Sequence, residues 1–391
     1  MISLDDILFW LREKDADKLQ ELWQLADNVR QNNVGHFVHL RGLIELSNYC
    51  RRNCLYCGIR ASHQNISRYR LSMKEALECA KLAHEFEYGT VVIQSGEDFL
   101  LDEGFIAELI QEIKRRFSLA ITLSLGERNE SEWVRWKEAG ADRYLLRFET
   151  SNQQLFEAIH PRAADSIYPN RLKLLRTLRE FGYEIGSGVM IGIPGQSVSD
   201  LANDIELFRE LELDMIGCGP YLAHPETPLG RLSIQNGFWV SNDFSSPLNL
   251  TQNPDLSKNQ SKEMQSKINS FRFPCSSEQV ESSNEMAFKV IALARLVCPT
   301  ANIPSTTAIA TIDGKQGRIN GLSRGANVIM PNLTPIEYRN LYEIYPNKAA
   351  VYETAQQTHQ MAIEQIHSIG REAGKGPGTS IHFERQSRFS K

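Results

Sequence analysis

The order of elements in this 391-residue chain predicts an α/β protein, a (βα)8 barrel of the TIM type with helices before it and a helical tail after it. Three observations predict it. Short apolar, β-branched runs alternate with amphipathic helical periods until eight strands are counted. The residues able to carry chemistry cluster just after those strands, where barrel enzymes keep their active sites. Hydrophobic residues make up 41% and charged residues 23%, an ordinary soluble composition, and α/β barrels routinely run past the usual single-domain length.

Residues 3–31 carry helical periodicity (Ile7, Leu8, Leu11, then Leu19, Leu22, Leu25, Val29) and read as two short helices ahead of the barrel. The first strand is 43–47. Ser72-Met73-Lys74-Glu75 is a capping box opening a helix with an apolar face of Ala76, Leu77, Ala80, Ala83 and Phe86. Strand two is 90–94, and 103–117 is amphipathic through Phe105, Ile106, Leu109, Ile110, Ile113 and Phe117. Strand three is 119–125, followed by a helix over 132–139 that Gly140 stops. Strand four, 143–148, precedes a helix over 171–181. Strand five, 184–191, precedes a helix over 200–211 capped by Ser197 or Ser199, and strand six is 214–217. The pattern then breaks. From about 230 to 283 the chain is rich in Ser, Asn, Gln and Pro without a sustained period, and reads as a flexible insertion. A helix at 285–297, strands at 302–306 and 326–330, and a helical tail over about 335–370 complete the series. The domain reading is therefore 1–34 as N-terminal helices, 35–350 as the interrupted barrel, and 351–391 as a tail with a polar end.

Charge and composition exclude several classes. A net charge of −5 and a pI near 6.0 give no basic footprint for nucleic acid. No apolar run approaches the ~18 residues a membrane span needs. Met1-Ile2-Ser3-Leu4-Asp5-Asp6 is acidic too early for a signal or transit peptide. Seven scattered cysteines do not read as a disulfide framework. The expectation is a reducing, cytoplasmic compartment.

The chemistry starts where the first strand ends. Cys50, Cys54 and Cys57 stand at C-x3-C-x2-C, and three thiolates in one loop can grip three irons of a [4Fe-4S] cube while the fourth iron stays open. A structural zinc site wants four closed ligands, and no further Cys or His pair with finger spacing follows. Tyr56 beside the last cysteine, with Gly58 after it, suits close approach of a flat ring and of backbone. The motif in this strand context resembles the radical S-adenosylmethionine (SAM) superfamily.

That resemblance implies partners for SAM at the barrel mouth. Candidates are Glu97 in Ser95-Gly96-Glu97-Asp98 after strand two, Ser124 at the end of strand three, Glu149 at the end of strand four, Arg171 opening the next helix, and the turn Gly192–Gln196. Taken by themselves, a Gly-Glu turn and a lone Arg at a helix start are more often solvated surface. Tyr56, Glu97, Ser124, Glu149 and Arg171 are the cofactor-binding set, and no residue is assigned to catalysis proper.

Longer runs sharpen the likeness. Val92–Asp98, Ser124–Glu127, Gly140–Arg147 with Glu149-Thr150, Gly192–Gln196, Gly219-Pro220, His224–Leu229, Asn302–Ala308 and Gly325–Asn332 are similar to the radical SAM maturases of iron-only hydrogenases, in the biotin synthase branch. The likeness covers roughly 35–230 and 285–350. It implies reductive cleavage of SAM to a 5′-deoxyadenosyl radical, fed by an external one-electron donor of ferredoxin or flavodoxin type. The radical acts, in that family, on a small organometallic iron complex on the way to the di-iron subcluster of the hydrogenase H-cluster, alongside other hydrogenase maturation proteins. It also puts Ser305–Thr307 and Asn327–Asn332 at the bottom of the cavity. Two departures stand out: there is no cysteine after Cys298 for a second cluster, and the 230–283 insertion is foreign to compact members. That insertion reads as a tolerated surface loop, with a mouth-side lid as its alternative. The competing functions are a related mutase or sulfur-inserting enzyme of methylornithine or biotin synthase type, and a non-catalytic iron–sulfur scaffold.

Overall fold

The first cap already shows how locally the helices are specified. Ser72 Oγ accepts the Glu75 N–H and the Glu75 carboxylate accepts the Ser72 N–H at 2.7 Å, the two bonds of the capping box read from the sequence. The computed structural model describes residues 2–161, 170–235 and 278–389.

In chain order, α1 (Leu4–Arg12) and α2 (Ala16–Val34) precede β1 (Phe37–Ser47). Then come α3 (Met73–Glu85), β2 (Thr90–Ser95), α4 (Glu103–Arg116), β3 (Ala120–Ser124), α5 (Glu130–Ala139) and β4 (Arg143–Leu145). Next are α6 (Gln153–Ile159), α7 (Arg171–Glu180), β5 (Glu184–Ser187), β6 (Met190–Ile191), α8 (Val198–Glu210), β7 (Met215–Ile216), β8 (Gly219–Pro220) and α9 (Pro228–Gln235). The last third holds α10 (Asn284–Val297), α11 (Thr307–Leu322), β9 (Val328–Ile329), α12 (Ile336–Arg339), α13 (Ala355–Ser368), β10 (Glu372–Gly374) and α14 (Ile381–Phe389). Most of the insertion read at 230–283, and Cys275 with it, lies outside the described residues.

The sheet is parallel throughout and runs β1-β2-β3-β4-β5-β7. It then passes by single bridges from Met215 to Asn302 and from Pro304 to Val328. β9 returns to β1 at His39 and Leu40, so the sheet curls into the predicted barrel. The stave at 302–304 joins its neighbouring strands through those single bridges, and β5 and β6 are separate pairings where one strand over 184–191 was expected.

Alternation along β1 separates the two faces. Leu40, Ile44 and Leu46 belong to the main apolar core, as do Val91 and Ile93 of β2 and Ile121 and Leu123 of β3. The alternate residues, Arg41, Glu45, Ser47, Thr90 and Thr122, are buried polar groups. This barrel is thus polar inside, unlike one packed solid with branched side chains.

The floor is sealed by a segment from the other end of the chain. β10 pairs with Phe37–His39 of β1, and the residues after it turn beneath the barrel. The Pro377 carbonyl accepts Thr90 Oγ1 and Arg143 Nη2, both at 2.9 Å, and the Gly378 carbonyl accepts Arg41 Nη2 and Asn302 Nδ2. A Cβ on Gly89 would fall 1.5 Å from the Gly376 carbonyl oxygen, so only glycine admits the segment.

Candidate active site at the barrel mouth

β1 delivers Cys50, Cys54 and Cys57 to the mouth as half-buried, unbridged thiols. Two backbone N–H groups, from Arg52 and Glu97, point at the Cys50 sulfur, each at 3.4 Å. The Glu97 carbonyl accepts the Arg51 N–H at 3.0 Å, which ties the loop after β2 to the cysteine loop. Gly96 and Gly58 allow this crowding. A Cβ on Gly96 would stand 2.2 Å from the Tyr49 carbonyl oxygen, and one on Gly58 2.1 Å from that of Glu343.

Burial raises the Cys50 thiol, pushes Cys54 up to about 12, and raises Cys57 further. Iron must therefore displace protons when it binds, and its charge supplies the driving force. Among the described residues no three His, Cys, Asp or Glu side chains converge as a single metal ion requires. A cube takes one thiolate per iron, so three thiols spread along one loop fit it.

Tyr56 packs edge-on against His160, and its hydroxyl lies 3.0 Å from His160 Nε2. His160 Nδ1 faces the Phe156 carbonyl at 2.9 Å, so Nδ1 donates there and Nε2 accepts from the tyrosine. Burial holds the imidazole neutral by lowering its pKa well below the ordinary value.

A chain of alternating charge rims the mouth. Arg52 Nε donates to Glu97 at 2.9 Å, and its Nη2 donates to Glu127. Glu127 accepts Arg171 Nε at 2.8 Å, and Arg171 Nη1 donates to the Arg147 carbonyl at 2.7 Å. Burial raises the Glu97 carboxyl, with Arg52 opposing. For Arg171 burial would lower the pKa, but Glu127 holds it above the ordinary arginine value. Gly126 has φ +78°, and a Cβ there would meet Glu97 at 2.9 Å, so this turn is closed around the acid.

Glu149 is buried in the left-handed region at φ 64°, a conformation that costs a non-glycine residue about 1 kcal/mol or more. Its backbone is fixed from both sides by the Gly188 carbonyl and the Met190 N–H. Its Oε2 stands 3.0 Å from Arg147 Nη2 as an ion pair, yet it accepts no aligned hydrogen bond among the described residues. Ser124 sits half-buried at the mouth end of β3, paired in register with Gln94. The turn 192–196 is built by Gln196, whose Oε1 accepts the Gly192 N–H and whose Nε2 donates to Asp204 at 3.3 Å.

Deeper inside, Glu45 accepts Lys348 Nζ and Asn332 Nδ2. Gln94 Nε2 donates to the Tyr342 hydroxyl at 3.2 Å. Asn327 does not line this space, because its amide joins Arg295, Ile303 and Asn302 within the staves. Sequence reasoning assigned no role to Arg52, Glu127 or His160. Glu127 lay inside a quoted run and Arg52 inside the cysteine motif, but His160 ends a seven-residue helix that gave no periodic signal.

Residues 44–208 match the model of the radical SAM superfamily. The chain is 40% identical over 359 residues to the [FeFe] hydrogenase maturase subunit HydE of Thermotoga maritima, covering 92% of this chain and 88% of that protein. The chain belongs to this radical SAM family. It is also 26% identical over 330 residues to 3-methylornithine synthase of Methanosarcina acetivorans, covering 84% and 79%. The crystal structure of methylornithine synthase shares its fold at TM-score 0.72 and 19% identity, over 99% of this chain and 96% of that one. The HydG maturase structure follows at TM-score 0.63 and 17% identity, over 97% and 69%. This hydrogenase-maturase homologue is a radical SAM enzyme, of a superfamily that uses a [4Fe-4S] cluster and SAM. No helix among the described residues is long and apolar enough to cross a membrane.

Proposed function

We propose that Cys50, Cys54 and Cys57 hold the [4Fe-4S] cluster and that Glu97, Ser124, Glu149 and Arg171, with Tyr56, hold SAM against its open iron. Together, cluster and SAM supply reductive cleavage of SAM to methionine and a 5′-deoxyadenosyl radical. The protein's own share is binding, orientation and exclusion of water.

The observation that carries the SAM reading is the buried Glu149 Oε2, which has no aligned donor among the described residues. That oxygen is balanced by the Arg147 charge 3.0 Å away but keeps acceptor capacity, which a SAM hydroxyl or ammonium can fill. Arg171 is clamped by Glu127 through Nε and by a carbonyl through Nη1, leaving N–H groups for the SAM carboxylate. Glu97 completes the mouth as an acid for the ammonium, its backbone fixed by the Cys50 loop. His160 fixes the Tyr56 ring edge, so the flat face beside Cys57 is presented without rotamer freedom.

The substrate we infer is the small organometallic iron complex of hydrogenase maturation, a cysteine-bound iron with CO and cyanide, on the path to the di-iron subcluster. Residues 35–350 form the catalytic unit, working in a reducing cytoplasm with an external one-electron donor and other maturation proteins. Anaerobic reconstitution should give about four irons per chain. Such protein should release 5′-deoxyadenosine from SAM, faster when the iron complex is added. Cleavage stimulated instead by an amino acid or dethiobiotin would turn the reading to a mutase or a sulfur-inserting enzyme. Iron binding without any SAM cleavage would turn it to a scaffold.

A further inference from the structure

Residues 46–74 contain five arginines (Arg51, Arg52, Arg60, Arg68 and Arg70), Lys74, and not one Asp or Glu, in a chain of net charge −5. The segment that carries the three cysteines is therefore a basic island. Arg52 and Arg70 are neutralised by Glu97 and Asp98. Arg68 is bonded to four main-chain carbonyls (Asn48, Ile59, Arg60 and His63), which leave its charge uncompensated. The Arg51 side chain is 61% exposed, with Glu97 no nearer than 4.0 Å.

Exposed apolar groups stand on the same side. Tyr49 is 36% exposed with the Arg70 guanidinium 3.7 Å above its ring, and Phe99 is 40% exposed with Arg51 at 4.7 Å. Leu100, at 76%, projects from the turn next to Phe99, and Asp98 Oδ1 fixes that turn by accepting the Leu100 N–H. Aromatic and arginine side chains around an apolar tip are the composition enriched in protein interfaces. The patch is wired directly to the site: Glu97, two residues before Phe99, gives its N–H to the Cys50 sulfur.

We propose that Tyr49, Arg51, Arg70, Phe99 and Leu100 form the docking surface for an acidic one-electron carrier protein that reduces the cluster. The inference rests on the cluster reading above. One electron leaves the carrier, which is oxidised by one unit, and the cluster falls from 2+ to 1+. No proton or group moves with it. An acidic partner is specified because Arg51 and Arg68 keep charge that Glu97 and Asp98, already answered by Arg52 and Arg70, do not offset, in a chain that is acidic overall.

The test uses reconstituted holoenzyme, wild type and the double variant Arg51→Glu/Leu100→Glu, with flavodoxin hydroquinone or dithionite as reductant. The variant should bind flavodoxin at least tenfold more weakly by calorimetry. Its flavodoxin-driven 5′-deoxyadenosine formation should fall at least tenfold, while dithionite-driven formation stays at the wild-type rate. Wild-type affinity should also weaken as salt is raised. Unchanged flavodoxin affinity and rate in the variant would overturn the proposal. So would a sedimentation shift from dimer to monomer in the variant alone, which would make the patch a contact between copies of this chain. If wild-type protein fails with dithionite too, the cluster reading is what has failed.

Discussion

The two ends of the barrel are built from the same side-chain types and do opposite things with them. At the floor, Arg143 is fully engaged: Nε to Glu184 at 2.7 Å, Nη1 to Thr90, and Nη2 to Pro377 and Thr379. Glu184 in turn accepts the Ser380 N–H. Pro377, Thr379 and Ser380 come from the far end of the chain, so this buried ion pair locks the tail to the barrel. At the mouth, Arg52, Glu97, Glu127 and Arg171 also pair in series, but Glu149 keeps a buried oxygen without an aligned donor. The bonds around Arg143 leave each of its nitrogens partnered, although Arg41 Nε nearby has no acceptor among the described residues; the Glu149 oxygen, held only by the Arg147 charge, lies at the end of the barrel where a ligand can reach it.

The largest expected effect falls on the mouth. Cys54→Ala should reduce bound iron from about four per chain to near none, since two thiolates cannot hold the cube. Its melting temperature before reconstitution should stay close to wild type. Full iron retention would remove Cys54 from the site.

The floor should answer in the other way. Glu184→Ala leaves Arg143 buried beside polar groups but without its counter-charge, a loss of about 3–5 kcal/mol. A melt should drop by many degrees, while protein that is folded at low temperature still takes up iron and SAM. Loss of SAM binding at full stability would mean the floor is a ligand site and the contrast is false.

Arg171→Ala is the intermediate case. A charge-assisted contact contributes roughly 1.5–3 kcal/mol, so SAM affinity should weaken at least tenfold with the cluster intact. Unchanged affinity in a titration would return Arg171 to a role in holding Glu127 alone.

This contrast also explains what the sequence made legible. Mouth residues follow strand ends within a few positions, so Cys50, Glu97, Ser124 and Glu149 could be named from motif and spacing. Floor partners are far apart in the chain, 41 residues between Arg143 and Glu184 and 234 between Arg143 and Pro377, and no local pattern encodes them. α11 was missed for another reason. Gly314, Gly317 and Gly321 weaken its propensity, and Asp313–Gly314 break its dihedrals, so tertiary packing alone holds it together. β10, three residues long, carries too few positions for a period.

Asp204 offers a smaller, pH-dependent test of the turn behind the mouth. It is buried on α8, and burial pushes its carboxyl up to about 7 against the bonds from Ser151. The folded state then holds a proton that the unfolded state has lost above pH ~4. Its contribution to stability is therefore present at low pH and disappears as pH rises from about 4 to about 7. His39 works in the opposite sense, since burial lowers it to about 4. Comparing Asp204→Asn with wild type isolates the first effect. The variant's melting temperature should fall less between pH 5 and 7.5, and identical pH slopes would refute the assignment.

The smallest effect is expected from the largest change. Replacing residues 236–277 by a Gly/Ser linker should leave iron content and SAM cleavage near wild type. Both flanks meet one residue: Ser233 Oγ lies 3.2 Å from the Tyr221 hydroxyl, and Ser282 Oγ donates to the Tyr221 carbonyl. A flexible linker of about ten residues spans such a gap with ease. The C-terminal flank is anchored independently, because Gln279 bridges to Ser197 and its side chain holds the Gly195 N–H at 2.7 Å. Closure entropy grows by only ~0.6 kcal/mol per doubling of loop length, so the natural segment destabilises the barrel little and its removal stabilises it little. The 192–196 turn is where the change would register if the segment were a lid, since Gln279 touches it from the insertion side. SAM cleavage that becomes faster without substrate, or is abolished, would show that the segment closes the mouth. Cleavage at the wild-type rate, with the same dependence on substrate, leaves it a tolerated surface loop.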